Sequence, residues 1–277
     1  MQEREFDFTQ RDFDFLRKIS NQHTGIVVSD DKYDMFYSRL AKRVRQLRLG
    51  DFREYCEYLD RNRGEEFDHF INAITTNLTS FFRENHHFQF LKNDVLKKLE
   101  QSNAGQRRIR IWSAGCSTGE EPYSIAMTVA ESGLRERGWD IRILATDIDS
   151  NVLDTAAQGV YRDEKVGDLP KSVLRKWFRQ GSGSKQGYVR VVPELRQMIS
   201  FKQLNLMEAW PHKGPLDVIF CRNVLIYFDS ATKHKLVNRY ADMLAVGGHL
   251  CIGHSESLKE VPANLDFIGH TTYRRKG

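Results

Sequence analysis

Cysteine is scarce in this chain and long apolar runs are missing. Only four cysteines occur among 277 residues, at Cys56, Cys116, Cys221 and Cys251, and no two form a CxxC pair. That usage argues against a disulfide framework or a zinc site, no metal centre is expected, and a reducing cytoplasm is the natural setting. No uninterrupted apolar stretch approaches the roughly 20 residues of a membrane span, so no membrane insertion is expected. The opening MQEREFDFTQRDFDFLRKIS is charged throughout and shows no signal peptide. No internal repeat is present.

What remains is an ordinary globular composition. The hydrophobic share is 40%, with 17 Phe, 10 Tyr and 4 Trp, enough for a sizeable core and too aromatic for a disordered chain. The length suits one large domain or two smaller ones. The net charge is only +5. The excess is local: residues 39–48, RLAKRVRQLR, hold Arg39, Lys42, Arg43, Arg45 and Arg48 and no acid. Phe36, Leu40, Val44 and Leu47 fall on one helical stripe, so the cations spread over the rest of that helix. A solvated outer face explains them as well as a docking surface for an acidic partner. No aromatic residues interleave with the cations, which argues against nucleic acid.

The pattern changes near residue 76. Before it, four short helices are expected. Thr9 or Asp12 caps the first, the second covers about 31–48, Asp51 caps the third, and Gly64 breaks the chain before the fourth. Residues 1–76 thus read as a small all-α domain. Residues 77–107 read as a polar and aromatic linker followed by a helix, FQFLKNDVLKKLE. From 108 to 277, strands and helices alternate: RIRIWSA, a glycine turn, YSIAMTVAESGL, DIRILATDID and later LDVIFCRNVLIYF. That order predicts an α/β domain with a Rossmann-like, doubly wound parallel sheet, whose ligands sit at the C-terminal strand ends. Within it, residues 160–204 read as an insertion with a small antiparallel β sheet, in which YVRVV and ISFKQLN pair through PELRQM.

The strand ends carry the chemistry. After the first strand, Gly115 and Gly119 allow a sharp turn and close approach to a ligand. The spacing is not GxGxxG, and no P-loop lysine follows, which disfavours dinucleotides and nucleoside triphosphates. Glu120 and Glu121 stand where a pyrophosphate would lie; they repel phosphate and suit a cation or an amino group. Asp147 ends the second strand, where a carboxylate accepts hydrogen bonds from a ribose diol. Asp149 or Ser150 fits better as a helix cap. A ribose acid, an acidic glycine turn and no phosphate cradle point together to S-adenosylmethionine. His86 and His87 are adjacent, do not share a helix face, and read as surface or linker-packing residues. Neither Cys116 nor Cys221 reads as a nucleophile, though both are expected near the cofactor.

The segments TNLTSFFRE, SAGCSTGEEPYSIAM, ATDID, QLNL, FCRNVLIYF and GHSES, in this order, resemble the chemotaxis receptor glutamate methyltransferase family (CheR type) across nearly the whole chain. The resemblance implies an S-adenosylmethionine-dependent methyltransferase domain preceded by a helical domain. It also implies transfer of a methyl group to receptor glutamates, with S-adenosylhomocysteine as product. By motif position, Asn77, Thr79, Arg83, Glu121, Asp147, Asn205, Leu206, Cys221, Arg222 and Asn223 match cofactor-binding residues. Arg83 and Tyr227 match the pair beside the transferred methyl. Arg39, Lys42, Arg43 and Arg45 become candidates for docking acidic receptor helices. The edge of the insertion offers a receptor tail peptide a place for strand addition, a tether that only some members use. A monomer is expected. Two rivals stand beside this reading: an RNA methyltransferase, disfavoured because an NPPY-type strand end is replaced by CRNVLIYF, and a non-catalytic S-adenosylmethionine sensor.

Overall fold

A computed structural model describes residues 4–277. Four helices open the chain: α1 (Gln10–Thr24), α2 (Tyr33–Gln46), α3 (Phe52–Arg61) and α4 (Arg63–Ile74). Their starts follow from side chains that accept the orphan N–H groups of a helix end. Thr9 and Asp12 form a reciprocal capping box on α1, and the Asp51 carboxylate accepts from the Glu54 amide on α3. Gly64 does not break the chain; it lies in the first turn of α4, and Asn62 ends α3 instead. The stripes of these helices meet in one core of Phe13, Leu16, Phe36, Leu40, Val44, Phe52, Tyr55, Leu59 and Phe70.

Two cations expected on a docking face turn inward. Arg43 clamps the Glu66 carboxylate through Nε at 2.9 Å and Nη2 at 2.6 Å, and the Tyr55 hydroxyl donates to the same group at 3.0 Å. Glu66 is buried, so this pair belongs to the domain's interior. Arg39 donates to the carbonyls of Ile74 and Thr75 at 3.0 and 2.6 Å, tying off the end of α4. Lys42 and Arg45 remain exposed, Arg45 in a surface pair with Glu5. Arg43→Ala leaves a buried carboxylate without its cation and is expected to cost about 2–4 kcal/mol in urea unfolding. Lys42→Ala should cost under about 0.5 kcal/mol.

The linker runs into α5 (His86–Phe90), a π-helical turn at Leu91–Val95 and α6 (Leu96–Ser102). Strands and helices then alternate: β1 (Arg108–Ala114), α7 (Glu120–Ala130), β2 (Asp140–Asp147), α8 (Ser150–Gln158), β3 (Val160–Arg162), α9 (Lys171–Trp177), β4 (Phe178–Gln180), β5 (Tyr188–Val191), α10 (Pro193–Arg196), β6 (Ile199–Gln203), β7 (Leu216–Cys221), α11 (Ser230–Met243), β8 (Leu244–Ile252), β9 (Leu265–Gly269) and β10 (Thr272–Arg275). The large sheet has the order β6-β2-β1-β7-β8-β10-β9. Its first five strands are parallel, and β10 and β9 close one edge as an antiparallel hairpin.

Side-chain alternation splits the core in two. Ile109, Ile111, Ile143, Val218 and Phe220 pack with α7 on one face. Trp112, Ala114, Ile219 and Cys221 pack with Leu236, Val237, Tyr240 and Ala241 of α11 on the other. All six residues of β7 are buried, as befits a central parallel strand.

The insertion is shorter than the sequence pattern suggested. Its three-stranded sheet, β3-β5-β4, ends at Val191. Ile199–Gln203 pairs in parallel with β2 and belongs to the large sheet. The alternation of ISFKQ arises because β6 is an edge strand, with Ile199 buried against the core and Lys202 and Gln203 exposed. The connection from β5 carries α10, a crossover rather than a hairpin turn. Among the described residues no helix is long and apolar enough to cross a membrane.

Candidate active site

Strand order reverses between β1 and β7, with β2 and β6 on one side and β8 on the other. A crevice is expected outside the C-terminal strand ends at such a point. A cavity of about 380 Å³ opens there, lined by residues after β1, β2, β6 and β7, by the linker and by the helical domain. That volume falls in the range of about 300–1,000 Å³ typical of cofactor sites. Asn77, Thr79, Arg83, Glu121, Asp147, Asn205, Leu206, Arg222, Asn223 and Tyr227 all face it.

Cys221 does not. It is fully buried on the α11 face of β7, beside Tyr240. Period-two alternation sends Cys221 into the core and leaves the cavity to the loop that follows. Cys116 is buried in the opposite core layer. Burial pushes both thiols well above the usual range, so neither is poised as a thiolate near a ligand.

The glycine turn fits tightly. Gly115 has φ 86°, and a Cβ there would lie 2.3 Å from Val224 Cγ2. Gly119 has φ 99° and starts α7, with Ala156 and Tyr161 crowding the space a side chain would need. Phe82, Glu84, Ser117 and Asn223 also have left-handed backbone, with φ between 48° and 59°. Of these, Ser117 and Asn223 line the cavity and Phe82 and Glu84 flank Arg83 in the linker, so the surroundings impose the backbone on both sides of the wall.

The acidic groups divide by environment. Glu121 accepts from Ser113 Oγ at 2.7 Å and from Arg222 Nη1 at 2.9 Å. Burial still pushes its carboxyl above the usual range. Glu120 points away; Thr118 Oγ1 donates to it at 2.6 Å and Lys165 lies 3.7 Å off. Asp147 accepts from the amides of Ser117 at 2.8 Å and Asp149 at 3.1 Å, and burial raises its pKa to about 6. Asp149 is the helix cap, accepting from the Asn151 amide at 2.9 Å, and it also receives Thr75 Oγ1 and Asn77 Nδ2, each at 2.8 Å. Asn77 therefore pins the linker to the end of β2. The Asn205 amide is likewise spent on the protein, donating to the His23 carbonyl at 2.7 Å.

Arg222 organises the linker side. It is buried, pairs with Glu121, lies 3.3 Å from Glu84 Oε2, and donates to the Arg83 carbonyl. Its guanidinium sits 5.4 Å from the Phe88 ring centroid. Glu84 was not singled out from sequence, although it stands inside TNLTSFFRE. It accepts from the ring and amide of His254 at 2.7 and 3.1 Å and from Asn223 Nδ2 at 3.4 Å. Burial opposes its ionisation, but the His254 ring, the Arg222 charge and the His254 amide bring its pKa to about 2. His87 is buried and bonds the His270 carbonyl at 2.9 Å, so the histidine pair packs the linker onto the C-terminal hairpin. Glu84, His86 and His87 bring ligand atoms within 4.8 Å of one another, with the Arg222 cation against the same carboxylate.

At the mouth stand Arg83 and Tyr227. Arg83 Nη1 donates to the Leu78 carbonyl at 2.9 Å, and the Tyr227 hydroxyl donates to the Thr76 carbonyl at 3.4 Å. Burial raises the Tyr227 pKa, and the nearby Arg83 charge lowers it. Around them Leu78 is 79% and Ile226 49% exposed.

Comparison with known proteins agrees with this layout. Residues 11–75 match the CheR methyltransferase all-alpha domain, and residues 77–274 match the CheR methyltransferase SAM-binding domain. The chain belongs to the CheR methyltransferase family. It is 45% identical over 270 residues to chemotaxis protein methyltransferase 2 of Pseudomonas aeruginosa, covering 97% of this chain and 94% of that one. It is 42% identical over 264 residues to the chemotaxis protein methyltransferase of Escherichia coli, covering 93% and 89%. The CheR cofactor is S-adenosylmethionine, and the donor set fits it: two buried carboxylates and a glycine turn that a Cβ would fill. This CheR chain is thus an S-adenosylmethionine-dependent methyltransferase.

Proposed function

We propose that the chain methylates glutamate side chains of chemotaxis receptors, giving glutamate methyl ester and S-adenosylhomocysteine. The observation that carries this reading is that Arg83 and Tyr227 line the same cavity as Asp147 and Glu121. Asp147 is assigned to the ribose hydroxyls. Asn205 and Leu206 are assigned to the adenine side. Glu121, Arg222 and Asn223 are assigned to the amino-acid tail, with Asn77 and Thr79 closing the cavity from the linker.

When bound, S-adenosylmethionine supplies a methyl group on a cationic sulfur. The acceptor glutamate, with an ordinary pKa near 4.3, is already ionised at neutral pH, so no residue here needs to act as a strong base. Held by Asp147, Glu121 and Arg222, the cofactor would give its methyl to that carboxylate oxygen and leave as neutral S-adenosylhomocysteine, so the two charges would cancel. Arg83 guides the carboxylate to the mouth, and the Tyr227 hydroxyl fixes its orientation by a hydrogen bond. A tight Arg83–carboxylate pair would stabilise the reactant too, so Arg83 serves orientation more than it lowers the barrier. Alignment of this sort is worth up to about 7–11 kcal/mol in oriented reactions.

The receptor's acidic surface is assigned to exposed Lys42 and Arg45, and a tail peptide to β3 or β4, the outer strands of the small sheet. The reading is tested by incubating the protein with tritium-labelled cofactor and receptor membranes. Label released by mild base as methanol supports it. Base-stable label on RNA, or tight cofactor binding without any transfer, overturns it.

The titration of Asp147 gives a further expectation. Its folded pKa of about 6 lies above the unfolded value of about 4. Its contribution to the stability of the ligand-free protein is therefore full below about pH 4 and lost as pH rises through about 6. Ribose hydroxyls donate to the ionised form, so the affinity for S-adenosylhomocysteine should rise as pH rises through about 6. Calorimetry between pH 5 and pH 8, at roughly constant ionic strength, should show this for the wild type and not for Asp147→Asn.

A further inference from the structure

The segment Gly253–Ser257, just beyond β8, stood out in sequence without a role. Its Glu256 side chain is 5% exposed and touches neither the cavity nor a cation. Instead it gathers backbone amides. Oε2 accepts from Asn223 N at 2.9 Å and Gly253 N at 2.5 Å, and Oε1 accepts from Ile226 N at 3.1 Å. These donors belong to two loops, one after β8 and the other after β7. The second carries both Asn223 and Tyr227.

The loop after β7 is unusual backbone. Asn223 has φ 59°, and Leu225–Tyr227 forms a single 3-10 turn with no side-chain cap of its own. The first N–H groups of such a turn have no internal partners. Glu256 supplies the missing acceptor from a distant part of the chain, and an ionised acceptor makes the stronger bonds. Gly253 permits the approach: a Cβ there would lie 2.6 Å from Asn223 Nδ2 and 2.8 Å from Glu256 Oε2. The far end of the turn is held separately, by Val27 N donating to the Tyr227 carbonyl at 2.8 Å. Tyr227 thus hangs between two anchors, one on the helical domain and one on Glu256.

We propose that Glu256 is a positioning residue that fixes Tyr227 at the cavity mouth by capping the turn that bears it. This rests on the functional reading above, in which Tyr227 orients the acceptor. Glu256→Gln keeps the volume but sets an amide N–H₂ against backbone donors, so part of the cap is lost. A misplacement on the order of an ångström costs on the order of a hundredfold in rate. The rate constant for methyl transfer should fall by about that factor, while affinity for S-adenosylhomocysteine falls by less than about tenfold: Asn223 shares the capped loop, but Asp147, Glu121 and the linker lie off it. In a Tyr227→Phe background the same change should cost under about threefold, since both act through one hydroxyl. Glu256→Asp, which keeps the charge, should recover part of the rate and covers the case in which the glutamine variant fails to fold.

An unchanged rate in Glu256→Gln, or losses that multiply fully with Tyr227→Phe, overturns the proposal. So does a fall in cofactor affinity as large as the fall in rate. Wild-type protein on the same membranes separates the two levels, because absent transfer there condemns the functional reading. The isotope-labelled Tyr227 ring resonance then decides the positioning role without any activity: it should move in Glu256→Gln, and an unmoved signal counts against the role.

Discussion

Arg83→Ala should lower methyl transfer by on the order of a hundredfold with S-adenosylhomocysteine still bound. Arg83 stands at the mouth with one guanidinium nitrogen free of the Leu78 carbonyl that anchors the other, and its loss removes the cation that meets an incoming carboxylate. Tyr227→Phe should cost about ten- to a hundredfold, the worth of one hydrogen bond to a charged group. Both effects should appear in single-turnover rates with bound cofactor, since they concern the acceptor. Full activity in both variants would remove these residues from the reaction. Loss of cofactor affinity in step with rate would place them on the cofactor alone.

Arg222→Met should destabilise the fold by about 3–5 kcal/mol, because it strands a buried carboxylate. Arg222 neutralises Glu121, faces Glu84 and holds the Arg83 carbonyl, so one substitution loosens strand end and linker together. Adding Glu121→Gln should return part of the loss, since removing both charges of a buried pair is cheaper than removing one. Urea unfolding of the single and double variants reads this directly. A loss under about 1 kcal/mol in Arg222→Met would mean that the pair is solvated in solution and does not organise the site.

Much of the fold was legible because local chemistry and long-range packing agree. Thr9, Asp51 and Asp149 cap helices where the sequence placed caps. The apolar runs of β1, β2 and β7 pair as central parallel strands. Pairing between distant strands was less legible. Ile199–Gln203 alternates as an antiparallel strand would, yet it joins β2, because an edge position in a parallel sheet produces the same pattern. The C-terminal hairpin of β9 and β10 carried no strong turn signal, with His270 and Thr271 both left-handed at the corner.

The site shows the same division. The linings from the linker and the strand ends sit in motifs and were reachable from the chain, but the wall that the helical domain adds between Thr24 and Phe36 lies outside every motif. Side-chain direction was not reachable either: Cys221 faces the core one residue before Arg222 faces the cavity. Arg43 lies in a basic run that reads as a solvated face, and its buried partner Glu66 is 23 residues away. Glu84 and Glu256 act through backbone amides and an ion pair that only the folded chain brings near. Their signal in sequence was no more than a carboxylate inside a motif already noted.

A calorimetric titration of the purified protein with S-adenosylhomocysteine bears most directly on the cavity's assignment. Saturable binding at a single site per chain is expected at neutral pH, with affinity reduced by at least about tenfold in Asp147→Asn through loss of a charged hydrogen-bond acceptor. Neither heat nor a rise in melting temperature from the wild-type protein would contradict the assignment of this strand-end cavity to the adenosyl cofactor.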